Sequence, residues 1–173
     1  MYYLADGNIK IRDMVKEDTY IIYNTYLSYN WHPVLNTYLN YFEETLQNKR
    51  KVFIAEYKGK VKGLCTLVLE PEEGPYGKKG IPEIVDLCVF FDKHNLGIGS
   101  KLLDTAESEA AKTSNMVYLG VGLHSGYGAA QRLYIKRGYI PDGSGVWWNG
   151  KNLGQYEDCT NDDELVLFLA KEL

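Results

Sequence analysis

Apolar residues along the chain follow two periods that take turns. Ile9 and Ile11 flank Lys10, the alternation of a short, half-buried strand over residues 8–12. Over residues 16–29 the period lengthens, and Ile21, Ile22, Thr25, Tyr26 and Tyr29 fall on one helical face. Asn30-Trp31-His32-Pro33 ends that helix, and Pro33 is placed for the first turn of a second one. The second helix repeats Val34, Leu35, Tyr38, Leu39, Phe42 and Leu46 before the basic Lys49-Arg50-Lys51. Residues 51–57 and 61–69 are β-rich runs around Lys58-Gly59-Lys60, a hairpin signal. Residues 70–80 hold Pro71, Gly74, Pro75, Gly77 and Gly80 and read as a loop.

The central stretch is residues 83–104. Residues 84–91 are rich in β-branched and aromatic side chains and predict a strand. Asp92 to Asn95 is a polar elbow. From Gly97 the period becomes helical, with Ile98, Leu102, Leu103, Ala106 and Ala110 in phase. Residues 116–123 predict another strand and residues 126–137 a helix with Ala129, Ala130, Leu133 and Tyr134 aligned, closed by Gly138. Residues 142–156 read as a loop around a short strand at 146–148, and residues 164–170 as a final strand. The order is an α/β or α+β domain with a mixed sheet, expected as one domain over residues 1–173.

Composition narrows the class. Hydrophobic content of 45% and charged content of 24% are those of a globular protein, which disfavours disorder. A net charge of −4 argues against a nucleic-acid partner and leaves a cationic small substrate open. Cys65, Cys88 and Cys159 are scattered, with no CxxC pair, which fits a reducing cytoplasm and argues against a zinc site or disulfide framework. Charges interleave through the first twenty residues, so no signal peptide is expected, and the longest apolar run, residues 165–170, is too short to span a bilayer. Eight of the fifteen tyrosines precede Phe42, which concentrates aromatic surface in the two early helices.

Glycines where a strand hands over to a helix leave bare backbone N–H groups at the positive end of a helix dipole, a seat for phosphate. Gly97-Ile98-Gly99 is such a place, although it is neither a Walker A loop nor a dinucleotide fingerprint. A second set, Gly120-Val121-Gly122-Leu123-His124-Ser125-Gly126, loosely imitates a dinucleotide loop but has no downstream acidic ribose partner.

Leu87-Cys88-Val89-Phe90-Phe91-Asp92-Lys93-His94-Asn95-Leu96-Gly97-Ile98-Gly99-Ser100 resembles the acetyl-CoA-binding motif of the GNAT acetyltransferase superfamily: a hydrophobic strand, then Arg/Gln-x-x-Gly-x-Gly/Ala, then a helix. Further on, Tyr127, Ala130, Leu133, Tyr134, Gly138 and Tyr139 are similar to its second signature, Asn-x-x-Ala-x-x-Leu-Tyr-x-x-x-Gly-Phe/Tyr. His94 and Tyr127 depart from the usual Arg/Gln and Asn. The resemblance covers nearly the whole chain. It implies a central mixed, largely antiparallel sheet flanked by helices, acetyl-CoA as co-substrate without a metal, and transfer to a primary amine by direct attack in a ternary complex. The implied cofactor contacts are Leu87, Cys88, Val89, His94, Asn95, Leu96, Gly97, Ile98, Gly99, Ser100, Tyr127, Ala130 and Tyr134.

Each step of that chemistry asks for a residue. A lysine-like amine has a pKa of about 10.4 and must lose a proton to a base before it attacks. The resemblance implies Glu83, and Asp86 is the rival; strand alternation would point the two to opposite faces. The oxyanion wants a donor, for which the resemblance implies the backbone N–H near Val89, splayed by a bulge. The departing thiolate, whose conjugate acid has a pKa of roughly 8.5, needs a proton, and Tyr134 matches the general-acid tyrosine. Cys88 is a strand cysteine of the inert kind, His124 has no acidic partner at readable spacing, and His32 precedes a proline at a helix start. Trp31, the early tyrosines and Trp147-Trp148 are candidates for the acceptor side. The acceptor itself, a small amine or a protein amino group, stays open, as does a homodimer. Two other readings stay open with it: a GNAT-like module that binds CoA without turnover, and a nucleotide-binding domain using residues 120–126.

Overall fold

The computed structural model describes residues 1–90 and 96–173. Among them are four α-helices and nine strands whose pairing is mostly antiparallel, a mixed α/β architecture. The chain forms two compact units, Met1–Leu69 with Val85–Glu109, and Glu70–Ile84 with Ala110–Leu173.

In the first unit β1 (Tyr2–Asp6), β2 (Ile9–Asp13), β3 (Arg50–Tyr57) and β4 (Lys60–Val68) pair in sequence order, each antiparallel to the last. The turn between β3 and β4 has φ of +51° at Lys58 and +74° at Gly59, the left-handed pair that a tight hairpin requires. Beside β4 runs β5 (Glu83–Val89), whose residues from Val85 onward belong to this unit. Gly63 explains how closely the two approach: a Cβ there would stand 2.7 Å from the Cys88 carbonyl oxygen.

α1 (Lys16–Ser28) opens on Asp18, whose carboxylate reaches back to the Val15 N–H at 2.8 Å. Arg12 grips the same carboxylate with two bonds, 2.6 and 2.9 Å, and spends its third donor on Glu56 at 2.7 Å. Asp18 is 1% exposed, so this buried charge is stabilised by being fully paired. The helix buries Thr19, Ile22 and Tyr26, whereas Ile21 is exposed; the inward stripe lies one step round from the predicted face. α2 (Leu35–Leu46) begins two residues after Pro33, because Val34 is still extended at φ −102° and ψ 116°. Met14, Ile22, Tyr26, Tyr38, Val52, Ile54, Leu64 and Phe90 close the core beneath both helices. α3 (Ile98–Ala110) places Ile98, Leu102, Leu103, Ala106 and Ala110 inward, each no more than 1% exposed, as the period predicts.

In the second unit the first residues of β5 pair in parallel with β6 (Met116–Gly122), Glu83 opposite Tyr118 and Ile84 opposite Leu119. β6 continues antiparallel to β9 (Leu165–Glu172), and β9 to β7 (Ile140–Trp148). A 3-10 turn (Ser125–Tyr127) leads into α4 (Gly128–Lys136), closed by Gly138 at φ +89°.

Three expectations change here. β1 was not foreseen, because Tyr2-Tyr3-Leu4-Ala5 shows no alternation. The predicted loop at 142–156 holds most of a longer strand: Gly143 and Gly145 absorb a bulge between the Pro141 and Val146 pairs. Asn149-Gly150, at φ +49° and +72°, then turns β7 onto β8 (Lys151–Asn152), an Asn-Gly hairpin. No helix among the described residues is long and apolar enough to cross a membrane.

Candidate active site

β5 carries two of the named carboxylates, and its regular alternation fails between them. Asp86 has φ +51°, so the period-two argument that set Glu83 and Asp86 on opposite faces does not pass through it. This backbone irregularity lies three residues before Val89. In the first unit Asp86 is exposed and accepts a hydrogen bond from the Tyr41 hydroxyl. Thr66 Oγ1 donates to the Val85 carbonyl at 3.1 Å, and the Phe90 N–H donates to the Lys62 carbonyl at 2.9 Å, so β4 fixes β5 on either side of Leu87, Cys88 and Val89. All three are half-buried. Burial pushes the Cys88 thiol up, against a smaller opposing effect of the Tyr26 hydroxyl bonded to it, which keeps the sulfur protonated and a poor nucleophile.

His94 and Asn95 lie outside the described residues. The chain is described again at Leu96 and Gly97, both exposed, with Gly97 at φ +75° and nothing among the described residues within 4 Å of where a Cβ would stand. Lys101 N–H bonds the Gly97 carbonyl at 3.1 Å. The N–H groups of Ile98, Gly99 and Ser100 therefore belong to the first turn, ahead of the helical ladder. Ile98 anchors that turn in the core while Gly99 and Ser100 stay half-exposed at the positive end of a thirteen-residue helix. Lys101 turns its ammonium to Asp6 at 2.7 Å.

In the second unit the Glu83 carboxylate, half-buried, accepts a hydrogen bond from Tyr118 at 3.1 Å. Tyr118 has no exposure and packs, with tilted rings, between Tyr76, at 4.9 Å, and Phe168, at 5.9 Å. Burial first, and then the Glu83 charge, push the Tyr118 phenol far above the ordinary tyrosine range, so it stays a donor. Sequence inspection passed over Tyr118. Its place opposite Glu83 follows from the parallel register, which no local pattern reveals.

α4 presents Tyr127 at its N-cap, then Ala130 and Tyr134. Tyr134 is 7% exposed and packs against Tyr139 at 5.9 Å, and Tyr139 N–H closes the turn onto the Tyr134 carbonyl at 3.1 Å. The start of this helix is pinned by a triad that the sequence did not foretell. His124 Nδ1 accepts from the Gly126 N–H at 3.0 Å, which places its ring proton on Nε2, 2.9 Å from Asp163. The Tyr127 hydroxyl donates to the same Asp163 oxygen at 3.0 Å. Those two bonds hold the Asp163 carboxyl below its usual range. His124 thus has its acidic partner, 39 residues away in the chain, where spacing could not show it.

The second glycine set acquires a steric explanation. A Cβ on Gly122 would stand 2.3 Å from the Tyr127 ring, and one on Gly126 would stand 2.6 Å from the His124 ring. These glycines make room for side chains of their own loop, which accounts for their spacing without a bound phosphate.

The acetyltransferase (GNAT) family model matches residues 16–139. No curated protein sequence matches the chain. Among solved structures, an acetyltransferase from Salmonella typhimurium that modifies the N-terminal serine of ribosomal protein L7/L12 aligns with a TM-score of 0.74 at 10% identity, over 100% of this chain and 99% of that one. An N-acetyltransferase from Staphylococcus aureus Mu50 aligns with a TM-score of 0.71 at 24% identity, over 96% and 99%. The Salmonella typhimurium putative acetyltransferase yncA, solved with its cofactor acetyl-CoA, aligns with a TM-score of 0.69 at 19% identity, over 96% and 94%. At these identities the likeness is one of fold.

Proposed function

The chain belongs to the GNAT acetyltransferase family, and from that premise we propose that it transfers the acetyl group of acetyl-CoA to a primary amine within a ternary complex, residues 1–173 acting as one domain. The observation that carries the reading is the start of α3, where an exposed Gly97 precedes the first-turn residues Ile98, Gly99 and Ser100, with Ile98 as a buried anchor. Such a start fits a diphosphate: the first-turn N–H groups stand ahead of the helical ladder, the helix dipole is positive there, and no side chain among the described residues crowds Gly97.

On this reading Leu96 to Ser100 hold the diphosphate of acetyl-CoA. His94 and Asn95 belong to the same motif. The backbone of Leu87, Cys88 and Val89 aligns the pantetheine arm, with the N–H near Val89 directed to the thioester oxygen. Tyr127 and Ala130, at the head of α4, flank the cofactor. Bound acetyl-CoA supplies an acyl thioester open to attack by a neutral amine.

Glu83 takes the proton of the acceptor ammonium through water, and Tyr118 orients its carboxylate by donating to it. Tyr134 carries a proton at its hydroxyl for the leaving sulfur. Cytoplasmic location accords with the three free cysteines.

The test is calorimetric titration with acetyl-CoA, followed by free-thiol release across an amine library. Saturable binding and amine-dependent thiol release are expected. Binding without release for any amine would reduce the protein to a CoA-binding module, and no binding would remove the reading.

A further inference from the structure

The basic run Lys49-Arg50-Lys51 that follows α2 is not a solvated patch throughout. Lys49 is exposed, but Arg50, the first residue of β3, leaves only 13% of its side chain in solvent. Its Nε donates to the Glu44 carboxylate at 2.5 Å and its Nη1 to Thr66 Oγ1 at 2.9 Å. The guanidinium carbon also sits over the Tyr41 ring, 4.2 Å from its centroid. Register explains the reach to Thr66: Arg50 pairs with Val68 and Val52 with Thr66, so Arg50 and Thr66 project from one face of the β3–β4 ladder.

Two of these contacts lead on to neighbouring residues of β5. Thr66, fully buried, accepts from Arg50 and gives its own proton to the Val85 carbonyl at 3.1 Å. Tyr41 donates its hydroxyl to the Asp86 carboxylate. Burial first, and then the Asp86 charge, push the Tyr41 phenol above its ordinary range, while the Arg50 charge pulls it down and makes the hydroxyl a better donor. Val85 and Asp86 are therefore each held by a side chain that Arg50 touches. Asp86 stands at φ +51°, which a residue other than glycine keeps only where its surroundings over-determine it.

An ion pair with Glu44 would need only a positive charge. Donating to Glu44 and Thr66 from separate nitrogens while covering a ring needs a planar fork, which lysine does not have. We infer that Arg50 is a positioning residue for the acetyl-transfer site: through Thr66 and Tyr41 it fixes the backbone of Val85 and Asp86, and so the line on which Leu87, Cys88 and Val89 meet the pantetheine arm. The inference rests on the acetyltransferase reading and adds to that site a residue that no motif of the sequence names.

The test compares wild type, Arg50→Lys, the pair Tyr41→Phe with Thr66→Val, and all three substitutions together. Calorimetry reads the acetyl-CoA Kd, and mass spectrometry reads amide exchange over residues 85–90 without cofactor, both at a temperature where circular dichroism shows each variant folded. Arg50→Lys keeps a charge for Glu44, yet it is expected to raise the Kd about five-fold and to speed exchange over residues 85–90, with residues 9–13 unchanged. In the background lacking both hydroxyls the same lysine is expected to change the Kd by less than about two-fold, because the path it acts through is already cut. Thr66→Val alone serves as that background should the combined protein not fold. An Arg50→Lys variant with wild-type Kd and exchange would overturn the inference, whether or not its melting temperature falls. A five-fold effect that persists undiminished without the hydroxyls would overturn it as well. Failure of the wild type to bind acetyl-CoA would remove the acetyltransferase reading, and the exchange data would then decide by themselves whether Arg50 holds β5.

Discussion

Tyr118, with no solvent exposure, donates its hydroxyl proton to the Glu83 carboxylate across 3.1 Å. A hydrogen bond to a charged group from a buried donor is worth about 1.5–3 kcal/mol, reduced here because Glu83 is half-buried. Tyr118→Phe is expected to lower unfolding stability by about 1–2 kcal/mol in urea. Losing the donor also leaves the Glu83 carboxylate without the bond that orients it, so kcat/KM should fall as well. An unchanged kcat/KM with lowered stability would leave Tyr118 a packing residue.

Tyr134→Phe keeps the ring that packs on Tyr139 and removes only the hydroxyl. The expected result is a kcat lower by about ten-fold or more, with the acetyl-CoA Kd changed by less than about two-fold. Stopped-flow thiol release and calorimetry separate the two. An unchanged kcat would take Tyr134 out of the mechanism.

Gly63 and Gly97 should fail for different reasons when replaced by alanine. At Gly63 the new Cβ meets the Cys88 carbonyl at 2.7 Å and the Val89 Cα at 3.3 Å, backbone atoms that cannot rotate aside. A loss of about 1–3 kcal/mol and weaker acetyl-CoA binding are expected. At Gly97 the space is open and only the φ of +75° resists, a cost of about 1–2 kcal/mol. Asparagine should therefore rescue position 97 relative to alanine but not position 63, as read by thermal melts of the four variants.

Tyr26, Tyr41 and Tyr118 are pushed above the ordinary phenol range, chiefly by burial, and Tyr38 is raised to about 12. Their folded values exceed the unfolded one of about 10. The stability they contribute is therefore fully present below pH about 10 and is lost as pH rises through the folded values. Phenolate absorbance should show an ordinary phase from exposed tyrosines and a delayed one that coincides with unfolding. A single phase with the fold intact would contradict the burial of these phenols.

Asp163 has the opposite sign. Its folded value is held down by His124 and Tyr127, so its contribution is present above the unfolded value of about 3.9 and is lost as pH falls through the folded one. The melting temperatures of wild type and Asp163→Ala should differ at neutral pH and converge in acid.

Much of the fold was legible because single elements carry their own period. The α3 heptad-like spacing, the Lys58-Gly59 turn and the Gly138 cap are local facts. Ile21 was misplaced because a neighbour in the helical wheel differs by only a small rotation, and the stripe is chosen by what lies beneath. β7 was cut short because Gly143 and Gly145 signal a loop as strongly as they signal a bulge. Long-range partners left no local trace: Tyr118 for Glu83, Tyr41 for Asp86 and Asp163 for His124 are brought together by register and by helix placement. The motif residues of the candidate site were readable from spacing, while the side chains that orient them were not.

Gly122 and Tyr127 occupy the same space, since any side chain at the first would enter the ring of the second. The two positions therefore cannot drift independently. A larger residue becomes acceptable at 122 only in a background where 127 is already small, and a large ring at 127 survives only while 122 stays glycine. Among descendants of this sequence the pair should change in a fixed order, and a substitution lethal in one lineage should be neutral in another.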